Sequence, residues 1–111
     1  MSNREPILLI SDILSSIAKI KTYILGYTFE GFVNDSKTCD AVIRNFEIIG
    51  EAANRIPDEI REHYPEINWF RIRGFRNRIV HDYMGIDYSI VWVIINNDLD
   101  TLESEISKIK I

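Results

Sequence analysis

Isoleucines 10, 13, 17, 20 and 24 recur at alternating intervals of three and four, with Leu14 beside them. An α-helix completes a turn every 3.6 residues, so this spacing lays one apolar stripe along a helix spanning about residues 4–25. Such a stripe must be covered, and the rest of the chain supplies further helices to cover it. Pro6 fits the first turn, where its missing N–H costs nothing, and Gly26 ends the helix. The connection from Tyr27 to Asn34 holds Phe29, Phe32 and Val33, which predicts a segment packed on the bundle. Asn34 or Asp35 then offers a cap for a second helix with Val42, Phe46, Ile49, Ala53 and Ile56 on its buried face, and Pro57 breaks it.

A short third helix fits Asp58 to His63, with two acids at the positive end of its dipole and Pro65 limiting its extension. Asn68 caps a fourth helix, which the pattern carries on to near Gly85; Ile67 and Ile72 occupy the positions of a hydrophobic staple. Asp87 caps a fifth, with Ile86 and Val91 as a second staple and Val91, Ile94, Ile95, Leu102, Ile106 and Ile109 inward. No stretch alternates polar and apolar residues as a half-buried strand would. The fold class expected is all-α, an antiparallel bundle of four to five helices, with residues 1–111 as a single domain.

The longest aliphatic run, Ile7 to Ile10, is too short for a membrane span, and no signal-peptide pattern is present. Cys39 is the sole cysteine, so no intrachain disulfide can form and a cytoplasmic location is expected. With two histidines and one cysteine widely separated, no metal-ligand spacing arises, and metal-free chemistry is expected.

Charge singles out one window. Ile67 to His81 carries Arg71, Arg73, Arg76 and Arg78 and no acid, whereas the chain has 13 Lys and Arg against 17 Asp and Glu. Outside the window 9 basic residues face 17 acidic ones, a balance of −8. A basic stripe on an acidic protein suggests a local anionic ligand, RNA or a nucleotide, while a solvated face salt-bridged to neighbouring acids is the blander alternative. In that alternative Arg76 and Arg78 pair with Glu47 or Glu51, and Glu51 needs a partner in its small, apolar surroundings. On a continuous helix Asn77 shares a face with His81 and with Arg73. Arg76 and His81, five residues apart, fall about 140° apart and roughly 7.5 Å along the axis. They meet at one phosphate only if the helix end departs from ideality, if Arg76 reaches around, or if a second copy completes the site. Tyr83 approaches the face of Arg76 if the helix persists. His63 has no such neighbours and reads as a surface residue.

Arg76-Asn77-x3-His81-x-Tyr83 resembles the Arg-x4-His-x-Tyr signature of the HEPN superfamily, in its small HepT-like toxin branch. Arg44 to Ala53 with its Ile-Gly-Glu-Ala core, the Trp69 position and the Trp92-containing helix follow the order of that branch. The resemblance implies a homodimeric HEPN-like bundle acting as a metal-independent endoribonuclease toxin, paired with a minimal nucleotidyltransferase antitoxin. That antitoxin spends ATP to transfer AMP to the motif tyrosine, here Tyr83; the toxin itself needs no cofactor.

Chemistry assigns roles within that frame. RNA carries its own nucleophile, so His81 is the candidate acid or base, and Arg76 the group that stabilises charge on the phosphorane. Asn77 is a supporting residue, and Arg73 and Arg78 are candidates for holding the RNA backbone. Two alternatives stay open: a non-catalytic dimer that binds a nucleotide, RNA or a partner through the same cleft, and a structural dimer with internally paired arginines.

Overall fold

The computed structural model describes residues 4–81 and 85–110, with the side chains of Arg76 and His81 outside that description. The fold is all-α, with eight helical segments among the described residues and one two-stranded hairpin. Helix α1 (Pro6–Tyr23) buries Ile10, Ile13, Ile17 and Ile20, the stripe set by its spacing. Helix α3 (Ser36–Arg55) lies against it in the largest interface of the bundle and contributes Val42, Phe46, Ile49 and Ala53. Asp35 caps α3, its carboxylate accepting from the Thr38 amide at 3.1 Å. These two helices are the axis to which everything else attaches.

The expected packed connection contains α2 (Phe29–Val33), capped by Thr28. Phe32 is fully buried and its ring lies 5.2 Å from that of Trp92, so α2 covers the end of a late helix. Helix α4 spans Asp58–His63, where the acids and prolines placed it. His63 is exposed, as its lack of companions suggested.

The expected fourth helix is not continuous. It divides into α5 (Trp69–Arg73) and α6 (Phe75–Ile79) at Gly74, and it gives way at Val80 rather than near Gly85. Two effects account for this. Glycine costs a helix interior about 1 kcal/mol relative to alanine, and β-branched Val80 favours extended backbone. Val80–His81 (β1) then pairs antiparallel with Gly85–Ile86 (β2), Val80 opposite Ile86 and His81 opposite Gly85. Gly85 takes φ +77°, a left-handed conformation that only glycine adopts freely. The Asp87 amide donates to the Ile79 carbonyl at 2.7 Å, closing the base of the hairpin. The absence of any strand signal in the sequence was therefore misleading over these four residues, which are too few to show a period of two.

The expected fifth helix bends into α7 (Tyr88–Asn97) and α8 (Leu99–Ser107) at Asp98. Hydrogen bonds from Asp98 to Ile94 and from Leu102 to Asp98 keep the four-residue spacing through the bend. All six residues expected on its inner side are buried, together with Leu99. Lys21 ties α8 to α1 through Glu103 at 2.9 Å and through Asp100.

The small residues of α3 have a packing reason. A Cβ added at Gly50 would lie 3.8 Å from the Ile72 carbonyl and 3.9 Å from that of Arg73, so the end of α5 crosses α3 at the backbone. Phe75 of α6 then packs edge-on against Phe46 at 5.5 Å. Through these contacts α3 sets the height and direction of the segment that carries the basic window. Among the described residues no helix is long and apolar enough to cross a membrane.

Candidate active site and its basic groove

The signature straddles the junction between helix and hairpin. Arg76 and Asn77 lie in α6, while His81 is a strand residue paired with Gly85. The reading that placed Asn77 and His81 on one helical face therefore fails, because the helical register ends at Ile79. By the same token, the 140° separation of Arg76 from His81 no longer applies. The helix end does depart from ideality after Ile79, the first of the three conditions under which those residues could meet. Tyr83 lies outside the described residues, as do the side chains of Arg76 and His81.

The surrounding arginines divide between two faces. Arg71 and Arg78 converge on one carboxylate: Arg71 Nη2 donates to Asp98 Oδ2 at 2.8 Å, and Arg78 Nη1 to the same oxygen at 3.3 Å. The side chain of Asp98 is 19% exposed, those of Arg71 and Arg78 46% and 36%. One negative charge thus answers two positive ones, and each guanidinium keeps N–H donors for another acceptor. Asp98 sits at the bend between α7 and α8, which lets it reach back to α5 and α6. In the blander alternative Arg78 pairs with Glu47 or Glu51; its carboxylate partner here is Asp98 instead. Glu51 is exposed, so its carboxylate is not buried in the way that would demand a protein partner.

Arg73 faces the other way. Its Nε donates to Asn54 Oδ1 at 3.1 Å, and it lines a cleft with Glu47, Gly50, Glu51 and Asn54 of α3. The turn at Gly74 therefore separates Arg73 from Asn77, which the continuous-helix reading had put on one face.

Asn77 and Arg78 line an open groove of about 480 Å³ with Asn68, Phe70, Arg71 and Gly74. None of these six lining residues is acidic. Beyond Arg78 a second depression continues over Ser89, Ile90 and Val93 of α7. The groove therefore runs beside α6, with Arg78 shared by both parts. Among the described residues no three of His, Cys, Asp and Glu are grouped as a metal-ligand set.

Two contributors went unread in the sequence. Asp98 belongs to a helix distant in the chain, and no local pattern reports which arginine it will meet. Phe70 did leave a signal: Trp69 and Ile72 are buried, and a helical step of 100° takes Phe70 off their stripe.

Comparison with known proteins adds an independent line. A family model described as "Ribonuclease HepT-like" matches residues 13–109. The chain is 35% identical over 101 residues to a Thermococcus cleftensis protein named "Probable ribonuclease HepT", covering 91% of this chain and 92% of that one. It is 36% identical over 109 residues to a Methanocaldococcus jannaschii protein, with 98% and 94% covered. A protein of Caldanaerobacter subterraneus is 37% identical over 86 residues, with 78% and 77% covered. The latter two are provisionally named RNases. No solved structure matches the chain.

Proposed function

The chain belongs to the HepT-like ribonuclease family, and from that premise we propose that it is a toxin endoribonuclease cleaving RNA without a metal ion, with Arg76 and His81 as its catalytic residues. The observation that carries this reading is that the family match includes the whole of Arg76 to Tyr83, beside a groove whose lining is cationic and free of acids. In the reaction the 2'-oxygen loses its proton to a base and attacks phosphorus. The bond from phosphorus to the 5'-oxygen breaks, and an acid protonates the departing oxygen. The products are a 2',3'-cyclic phosphate and a free 5'-hydroxyl. An imidazole ordinarily titrates at about 6.5, so His81 can serve as acid or base near neutrality. Arg76 presents a planar guanidinium to the phosphorane oxygens, an effect on the order of 3 kcal/mol. Asn77 supports from α6, and Arg78 with Arg71 holds the RNA backbone; Arg73, turned toward α3, is the weaker candidate.

A homodimer with its twofold axis beside α6 would bring two copies of Arg76 and His81 to one cleft. Control is assigned to Tyr83. A minimal nucleotidyltransferase antitoxin would direct the phenol oxygen at the α-phosphorus of ATP, releasing pyrophosphate and leaving AMP on Tyr83. The added phosphodiester blocks the cleft by bulk and repels RNA phosphates. These events belong to the cytoplasm.

His81→Ala is expected to abolish RNA cleavage in the presence of chelator with the circular dichroism spectrum unchanged. Equal cleavage by wild type and variant would overturn the assignment, and RNA binding without turnover in the wild type would convert the reading to a binding module. Incubation with the product of the neighbouring gene, ATP and magnesium, followed by peptide mass mapping, tests the control step. Modification anywhere but Tyr83 would refute it.

A further inference from the structure

Phe70 is 86% exposed, the second residue of a helix whose neighbours Trp69 and Ile72 are buried. A single exposed aromatic is ordinary on a protein surface. Its setting is not: the ring stands on the rim of the groove lined by Asn68, Arg71, Gly74, Asn77 and Arg78. Four of those side chains, Asn68, Arg71, Asn77 and Arg78, carry N–H donors that an anion can accept from. The opposite choice, an acid beside the ring, would repel a phosphate, and none lines the groove. A flat apolar face next to forked cationic donors is what single-stranded nucleic acid requires, because each nucleotide presents a ring to stack and a phosphate to hold. Asn77 and Arg78 also belong to the signature segment, so a nucleotide seated here is held by the same short stretch of chain that carries the proposed catalytic residues.

We infer that Phe70 is a base-stacking platform, and that Arg71, Asn77 and Arg78 hold the phosphate of the nucleotide stacked upon it, making this groove a subsite for unpaired RNA. The inference rests on the ribonuclease reading and sharpens it: the substrate is single-stranded at this position, since a base inside a duplex cannot turn onto the ring. The site reads no base identity, because every base has a π face, so it sets strandedness and register rather than sequence.

The test uses the full chain with Phe70→Ala, Phe70→Leu and Phe70→Trp. Binding is followed by anisotropy of a fluorescent single-stranded oligonucleotide fully 2'-O-methylated, which lacks the nucleophile and cannot be cut, and of the matching duplex. Phe70→Ala is expected to weaken single-strand binding by about 5- to 150-fold, the usual loss of one stacked base. Phe70→Leu should lose nearly as much, Phe70→Trp should keep wild-type affinity with fluorescence quenched on binding, and duplex affinity should stay put. With cleavable RNA the loss should fall on KM rather than kcat. Thermal melting confirms that a side chain this exposed is dispensable to the fold. Unaltered binding by Phe70→Ala overturns the proposal, and so does full activity of Phe70→Leu, which would show that any apolar contact suffices. A change of mass in sedimentation for Phe70→Ala also overturns it, in favour of a contact between copies. If the wild type cuts no RNA yet binding depends on the ring, the ribonuclease reading fails while the platform stands; cleavage indifferent to Phe70 gives the reverse.

Discussion

Replacing Asp98 by asparagine should make the protein less stable and a better RNA binder at once. Asp98 Oδ2 accepts from Arg71 at 2.8 Å and from Arg78 at 3.3 Å. Both arginines are more than a third exposed, so water screens each pair and the two together contribute roughly 0.5–2 kcal/mol. Asparagine keeps one acceptor oxygen but loses the charge. For a chain of 111 residues the midpoint of thermal unfolding should fall by roughly 2–8 °C. The groove meanwhile gains one unit of positive charge. At a separation of about 7 Å in water that charge attracts a phosphate by about 0.6 kcal/mol, close to threefold in affinity. The gain should appear in low salt and vanish near 1 M, where screening acts within about 3 Å. Anisotropy titrations across a salt series, paired with melting curves, measure both effects. Weaker RNA binding by a folded Asp98→Asn variant would refute the reasoning. It would mean that the carboxylate matters by aiming the guanidiniums and not by neutralising them.

Gly50 tests the crossing of α3 by α5. Gly50→Ala places its Cβ at ordinary contact distance from the Ile72 and Arg73 carbonyls and gains up to about 1 kcal/mol of helix propensity. Gly50→Val pushes methyl groups toward those oxygens and should cost about 1–3 kcal/mol; denaturant melts in which the two variants behave alike would contradict this packing. At Asp35, the hydrogen bond from Tyr27 Oη, then those from Thr38, hold the carboxyl below its ordinary value. A lowered pKa stabilises above the ordinary value and ceases to as pH falls through the folded one, so the deficit of Tyr27→Phe should be full at neutral pH and shrink in acid. A deficit independent of pH would show that Tyr27 acts through packing alone. Cys39 is buried and its Sγ donates to the Phe32 carbonyl at 3.0 Å, and burial, then Asp35 and Asp40, pushes the thiol up. Iodoacetamide should therefore label it only after unfolding in urea, and prompt labelling of native protein would reveal an opening between α2 and α3.

What the sequence made legible follows from the range of the interactions concerned. The stripe of α1, the buried face of α3 and the caps Asp35, Asn68 and Asp87 each depend on residues within one or two turns, and each is where the local pattern placed it. The hairpin that ends the fourth helix and the bend in the fifth involve partners far along the chain. At Asp98 the helix pattern continues in sequence, and what distinguishes the residue is a carboxylate engaged by arginines 20 and 27 positions away. At Val80, where a β-branched side chain already favours extended backbone, Ile86 returns to pair with it, a contact that composition cannot announce.

That second division bears most on the candidate site. A helix running through His81 would set Arg76 and His81 on different faces, so that they could meet only if Arg76 reached around or a second subunit supplied one of them. With β1 beginning at Val80, backbone geometry no longer forbids the two residues of one chain from serving the same phosphate. The proposed dimer must then be argued from what it adds, a second set of the same groups, rather than from what one chain lacks. Mixed dimers carrying Arg76→Ala on one subunit and His81→Ala on the other separate the possibilities. If each chain supplies its own pair, the mixed dimer retains no intact pair and is inactive. If the pair forms across the twofold axis, one of its two composite sites is whole, and about half the wild-type activity returns.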